Sequence, residues 1–229
     1  MNIVITGASR GIGRVLANNL SASKMFLLYH ADDENMKLTA AEIKCDFSVF
    51  KCDVSNATQV KNTFAQIEQI DVLINNAGTV DDSLIINMSE EQWDRVLNVN
   101  LKGAFLCCRY AVPKMRDGSH IINISSVTSK TGVIGACNYT ASKGGLESFT
   151  KSLAKELIRD GIFVNCISLG FFEVGLGAGL RQKVRESTLQ QIPLSHFGDP
   201  SEIVRAVEFI INSRYLVGSV INLSGGFYL

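Results

Sequence analysis

Seven short apolar runs punctuate the chain: NIVIT (2–6), MFLLY (25–29), FSVFK (47–51), DVLIN (71–75), HIINIS (120–125), IFVNCI (162–167) and GSVINL (218–223). Such near-continuous runs predict strands covered on both faces, as in a parallel sheet. Longer amphipathic stretches lie between them: SNATQVKNTFAQIEQ (55–69), with Ser55 the expected N-cap, SEEQWDRVLNVNLKGAFLCCRYAVPKM (89–115) and YTASKGGLESFTKSLAKELIRD (139–160). Alternating strands and helices predict an α/β fold, a doubly wound, seven-stranded and mainly parallel sheet flanked by helices. No composition shift, proline-rich linker or internal repeat divides the chain, so residues 1–229 are expected to form one domain. Residues 171–199 break the pattern, glycine-rich first and amphipathic after. They follow the sixth strand, where loops border the ligand crevice of such sheets, and are either a lid or a plain crossover helix.

Composition sets bounds. The 22 basic and 22 acidic residues balance, leaving no overall field to attract nucleic acid or an anionic membrane. No apolar run reaches the roughly 18 residues of a spanning helix, and MNIVITGASRG carries no leader signature. A cytoplasmic protein without nucleic-acid or membrane partners is expected. Six cysteines show no CxxC and no cysteine–histidine ligand spacing, which predicts reduced thiols packed as small apolar side chains and no metal site.

ITGASRGIG (5–13) follows the first strand and opens the first helix, with Gly7, Gly11 and Gly13 spaced G-x-x-x-G-x-G. Glycines there let the backbone approach a diphosphate at the positive end of a helix, which makes the fold Rossmann-type and the expected ligand a dinucleotide. Strand two ends at Tyr29-His30, with no acid before Asp32 and Asp33, whereas Arg10 lies in the glycine turn. A guanidinium there suits a 2′-phosphate, so NADP(H) is expected over NAD(H); the alternative folds Asp32 or Asp33 back to the ribose. Asp53 could cap the turn after strand three or accept from adenine. NNAG (75–78) ends strand four with side-chain amides and a glycine that permits close approach.

Tyr139 and Lys143, in NYTASKGG (138–145), stand four apart and share a helix face. A phenol titrates near pH 10, and an ammonium beside it should stabilise phenolate and bring the pKa toward the working pH. Ser126 ends strand five, where its hydroxyl could donate to the same substrate oxygen. Asn100, inside a long helical stretch, could mark a kinked turn that holds a water.

Together TGASRGIG, NNAG, NVNLKGAF, ISSV, YTASKGG and INLSGGFYL resemble the short-chain dehydrogenase/reductase family over essentially the whole chain. SLAKEL and IPLSHFGDPSEIVRAVEFI are similar to its 3-oxoacyl-[acyl-carrier-protein] reductases. The resemblance implies that Tyr139 is the proton donor, that Ser126 polarises the carbonyl and that Asn100 anchors a water relay. Lys143 would lower the tyrosine pKa and bind the nicotinamide ribose. The implied cofactor contacts are Gly7, Ser9, Arg10, Gly11, Ile12, Gly13, His30, Asp53, Val54, Asn76, Ala77, Gly78, Tyr139, Lys143, Gly170 and Phe172.

It also implies NADPH-dependent reduction of a 3-oxoacyl thioester, an acyl carrier protein as partner and a homotetramer built on helices 89–115 and 139–160. Rivals are a reductase of another ketone or secondary alcohol and a non-catalytic dinucleotide sensor. The chain departs from the family at Leu169 and Val174, which replace a proline and a threonine, and in a short link between strands two and three. Basic residues near the substrate entrance dock the carrier protein in these reductases. Arg116 and Arg159 lie close to those positions, but Asp117 and Asp160 fall nearer.

Overall fold

The computed structural model describes residues 1–175 and 177–229. Strands β1 (Asn2–Thr6), β2 (Lys24–Tyr29) and β3 (Asp46–Lys51) alternate with helices α1 (Gly11–Asn19) and α2 (Asp33–Glu42). Helix α3 (Ala57–Ala65) leads to β4 (Val72–Asn75) and α4 (Glu90–Leu97) to a π-helical turn at Asn98–Lys102. After α5 (Gly103–Ala111) come β5 (His120–Ser126), α6 (Thr128–Thr131), α7 (Cys137–Leu157), β6 (Phe163–Leu169), α8 (Gln182–Leu189), α9 (Pro200–Ile211) and β7 (Val220–Leu223).

All seven expected strands form one sheet in the order β3-β2-β1-β4-β5-β6-β7, and every pairing is parallel. Because the strands run one way, their carboxyl ends share an edge, and the order reverses between β1 and β4. That reversal opens a crevice at the edge.

The apolar runs are continuous because both sheet faces are covered. Ile3 and Ile5 join Leu16, Leu27, Ile74, Ile203 and Val207 on the α1/α9 face, while Val4 joins Phe64, Leu73, Ile121 and Val164 on the other. The two edge strands are the exceptions: β3 leaves Phe47 and Val49 exposed, and no residue of β7 is fully buried. Cys52, Cys107, Cys108 and Cys166 are buried free thiols. No helix among the described residues is long and apolar enough to cross a membrane.

Helix boundaries differ from expectation where capping decides them. Helix α3 starts at Ala57, not beside Ser55: the Asn56 side chain accepts from the amides of Thr58 and Gln59. Ser55 instead donates its own amide (2.9 Å) and hydroxyl (2.7 Å) to Asp53. The 89–115 stretch is broken into α4, the π turn and α5. The short link between β2 and β3 keeps one ten-residue helix, α2.

Candidate active site

The glycine turn is built for an anion. Gly7 and Gly11 sit at φ +68° and +59°, which a side chain rarely adopts. At Gly13, with ordinary φ, a Cβ would fall 2.1 Å from Gly7 O and 2.7 Å from Asn76 Nδ2. Among the described residues no side chain caps the N-terminus of α1, and its first turn holds no acid. Its first amides therefore remain available to an anionic ligand. These features fit a dinucleotide diphosphate.

NNAG is stitched to the same turn. The Asn76 side chain donates to Thr6 O (2.9 Å) and Gly7 O (3.3 Å), and the Asn76 and Ala77 amides both reach Thr6 Oγ1 at 3.0 Å. Thr6 is a site-building residue that the sequence reading missed; its only signal is one hydroxyl at the end of an apolar strand.

On the adenosine side, Arg10 projects into solvent, its side chain 78% exposed, 3.8 Å from Asp32. Asp32 caps α2 through the Asn35 amide (3.2 Å). Asp33 does not fold back toward the turn: Lys51 at 2.8 Å and the Tyr29 hydroxyl at 2.6 Å hold it. Asp53 does cap its turn through Oδ1, while Oδ2 lies 3.9 Å from His30 Nε2. Val54 is buried in the core beside Gly103, where a Cβ would come within 2.8 Å of its Cγ2. Its side chain is thus committed to packing, which leaves only its main chain for a ligand. Ser9 is buried, its carbonyl taking a 2.9 Å bond from Thr39, and Ile12 is half-buried.

After β6, Leu169 is buried, Gly170 donates its amide to Leu223 O (2.9 Å), and Phe172 bridges to Gly198. Val174 packs on the core rather than offering a polar contact. A Cβ on Gly11 would lie 3.2 Å from Gly175 Cα, so the chain after β6 rests on the glycine turn. The 171–199 segment contains α8, and Leu176 within it lies outside the described residues.

Ser126, Tyr139 and Lys143 meet at the carboxyl end of β5. Lys143 is buried and donates to Ile124 O at 2.7 Å, with its ammonium 5.7 Å from the Tyr139 ring centroid. A Cβ on Gly78 would sit 3.7 Å from Lys143 Nζ and 3.5 Å from Asn100 Oδ1, so NNAG ends against both side chains. Asn100 occupies the π turn, fully engaged: it donates to Thr79 O and Ser142 Oγ, both at 3.0 Å, and accepts from the Thr79 amide at 2.8 Å. Asn138 anchors the start of α7 by donating to Asp81 O at 2.9 Å.

The electrostatics reverse the sequence expectation for the phenol. Burial pushes Tyr139 up to about 12; a hydrogen bond with Ser126 pulls it down, and the Asp82 carboxylate pushes it up again. Burial drives Lys143 the other way, to about 8. Desolvation is the largest cause in each case, and it acts against the charged form of both groups. The resting site therefore holds a neutral phenol.

The depressed lysine pKa has a stability consequence. A folded-state value below the unfolded one means that the charged lysine destabilises the fold below about pH 8, a penalty relieved as pH climbs from about 8 to 10.5. Lys143→Met is expected to raise thermal stability at neutral pH by about 1–2 kcal/mol, since apolar replacement of a buried charge is often stabilising. The gain should shrink over that pH window, while turnover falls. Melting curves at several pH values check it; a large loss of stability at neutral pH contradicts it.

Arg116 and Arg159 are not beside this site. They flank the starts of β5 and β6, at the opposite edge of the sheet, with Arg116 3.3 Å from Asp71.

A family model described as "Enoyl-(Acyl carrier protein) reductase" matches residues 7–228. The 3-oxoacyl-[acyl-carrier-protein] reductase FabG of Staphylococcus aureus is 38% identical over 240 residues, covering 99% of this chain and 97% of its own. The protein of that name from Aquifex aeolicus is 37% identical, with 98% and 96% covered. Among solved structures, "Short-chain dehydrogenase/reductase SDR:Glucose/ribitol dehydrogenase" from Brucella melitensis superposes with a TM-score of 0.93 at 30% identity, covering 100% of this chain and 96% of its own. A dehydrogenase/reductase from Sinorhizobium meliloti 1021 gives 0.94 at 24% identity, covering 100% and 95%, a likeness of fold alone.

Proposed function

The chain belongs to the short-chain dehydrogenase/reductase family, and from that premise we propose that it reduces a 3-oxoacyl thioester, carried by acyl carrier protein, with NADPH. It is an oxidoreductase of carbonyl and alcohol groups that uses a nicotinamide dinucleotide. The observation that carries the reading is the meeting of Ser126, the half-buried Tyr139 and the buried Lys143, whose ammonium lies 5.7 Å from the Tyr139 ring centroid. It lies at the same strand edge as a glycine turn built for a diphosphate.

Reduced nicotinamide supplies the hydride. Ser126 donates a hydrogen bond to the substrate carbonyl oxygen and draws charge onto it. Tyr139 gives that oxygen its proton as it becomes an alkoxide. A phenol near 12 is fully protonated at neutral pH, yet far more acidic than an aliphatic alcohol. Lys143 supplies positive charge behind the phenol and binds the nicotinamide ribose. Asn100 holds the π turn beside it, and residues 171–199 act as the lid.

The substrate class follows from the relatives' names and the rim of the site. Leu84, Ile85, Ile86, Val133 and Ile134 are exposed on two loops joined by a 2.7 Å bond from the Ser83 amide to Gly135 O. An apolar rim suits an acyl chain better than a sugar. A cytoplasmic homo-oligomer, by family expectation a tetramer, fits the apolar groove of Leu97, Leu101, Phe105 and Phe149 between the α4–α5 region and α7.

Steady-state assays with acetoacetyl and crotonyl thioesters, sugars and secondary alcohols test the reading. Turnover of acetoacetyl thioester with NADPH is expected. Preference for the crotonyl thioester would make the chain an enoyl reductase, and tight NADPH binding without turnover a sensor. Arg10→Ala should raise the NADPH Kd about 10- to 100-fold and leave NADH unchanged, the worth of one charge-assisted hydrogen bond. Equal losses for both cofactors would remove Arg10 from 2′-phosphate recognition.

A further inference from the structure

Tyr139, Lys143 and Glu147 stand at successive fourth positions of α7, stacked along one face. The first two belong to the chemistry above; the third does not touch it. Yet Glu147 is only 2% exposed, and a carboxylate is not buried without partners. Its partners all come from the chain that carries Ser126. Oε1 accepts from Ser125 Oγ at 3.0 Å and from Ser129 Oγ at 2.5 Å. Oε2 faces Lys130 Nζ at 2.5 Å, an ion pair held by charge more than direction, since Oε2 takes part in no well-formed hydrogen bond.

Ser125 precedes Ser126, and Ser129 and Lys130 form α6 just after it. Ser125 Oγ also lies 3.2 Å from Lys143 O, and Ser126 Oγ accepts from the Thr128 amide (3.3 Å) and hydroxyl (3.1 Å). A shift of α6 therefore moves Ser126 relative to Tyr139.

We propose that Glu147, paired with Lys130, is a positioning residue that locks the Ser126 turn against the helix bearing Tyr139 and Lys143. This rests on the reading of Ser126 and Tyr139 given above. Glu147 holds Lys130 above the ordinary lysine value, and Tyr228, from the end of the chain, acts in the same direction. On the β6 side the neighbouring group is Cys166, whose thiol burial and the Glu147 charge push up to about 12, so it stays neutral. Neither carboxylate oxygen has room for a role at the substrate, because both are spent on α6 and Ser125.

Lys130→Met, Glu147→Gln, their combination and Lys130→Arg test this, with Tyr139→Phe as control, by acetoacetyl-thioester kinetics, NADPH affinity and amide exchange. An ångström of misplacement at a reacting centre can cost about 100-fold, so each disabling variant should lower kcat by at least about tenfold with NADPH affinity unchanged. The double variant should be no worse than the worse single one, since the two residues act as a unit. Lys130→Arg should restore most of kcat, and exchange at Lys130, Thr131 and Gly132 should quicken in Glu147→Gln. If kcat stays near the wild-type value while only thermal stability drops, the role is structural and the proposal fails. Should Lys130→Met not fold, Glu147→Gln against Lys130→Arg decides on the same criteria. Full activity of the control would instead overturn the underlying assignment of Tyr139.

Discussion

Tyr139→Phe is expected to lower kcat for acetoacetyl thioester by about 100- to 10,000-fold, the usual contribution of a positioned general acid. The substitution removes one hydroxyl and leaves the ring, which keeps its place under the Lys143 ammonium. Burial already keeps the phenol neutral, so phenylalanine removes no buried charge, and the fold should persist. NADPH affinity should change little, because the glycine turn and NNAG do not depend on that hydroxyl. Loss of the Ser126 partner leaves Ser126 free to bind substrate, so KM should move less than kcat. Steady-state kinetics beside NADPH titrations separate these effects. Near-normal turnover would exclude Tyr139 as the donor, and loss of NADPH binding would make its role one of cofactor placement.

Gly13→Ala is the second large effect, and it acts on binding. The added methyl would fall 2.1 Å from Gly7 O and 2.7 Å from Asn76 Nδ2, distances real carbon atoms do not tolerate. A side chain could swing aside, but Gly7 O is backbone, and Gly7 is held at positive φ in the turn itself. The turn must open, which also breaks the Asn76 bonds to Thr6 and Gly7. Overpacking of this kind costs about 1–3 kcal/mol of stability. Cofactor affinity should fall by at least about tenfold, as misplacing one charge-assisted hydrogen bond to a phosphate already costs 1.5 kcal/mol or so. Thermal melts with and without NADPH read both: a lower melting temperature and a smaller shift on adding cofactor. An unchanged NADPH-induced shift would mean that the diphosphate does not sit on this turn.

The sheet was legible because its signal is continuous: a strand apolar on both faces leaves an unbroken run, and seven runs gave seven strands within one or two residues. Legibility ended where neighbouring residues compete for one role. Ser55 and Asn56 both cap well, and the choice fell to Asn56 because Asp53 claims the Ser55 hydroxyl and amide. The π turn had a hint in Asn100, an asparagine inside a long helical stretch, but helical period alone does not distinguish four-residue from five-residue hydrogen bonds.

In the site, spacing revealed the Tyr139–Lys143 pair, whereas the direction of the tyrosine shift depends on burial depth, which spacing does not encode. Glu147 carried the same periodic signal one turn further on. Its burial against Lys130 and two serines is a tertiary fact that the hydropathy of glutamate conceals. Arg116 and Arg159 show the converse: near the right places in sequence, they fall at the wrong edge of the sheet for this chain's own site.

In the proposed mechanism, hydride reaches the keto carbon while the Tyr139 phenol protonates its oxygen. Transfer from NADPH labelled with deuterium at the reactive ring carbon, first to acetoacetyl-carrier protein and then to the crotonyl thioester, tests this by mass spectrometry of the products. This mechanism yields one deuterium at C3 of a 3-hydroxyacyl product and no labelled saturated product. A labelled saturated acyl product from the crotonyl thioester, with acetoacetyl left unreduced, would contradict it.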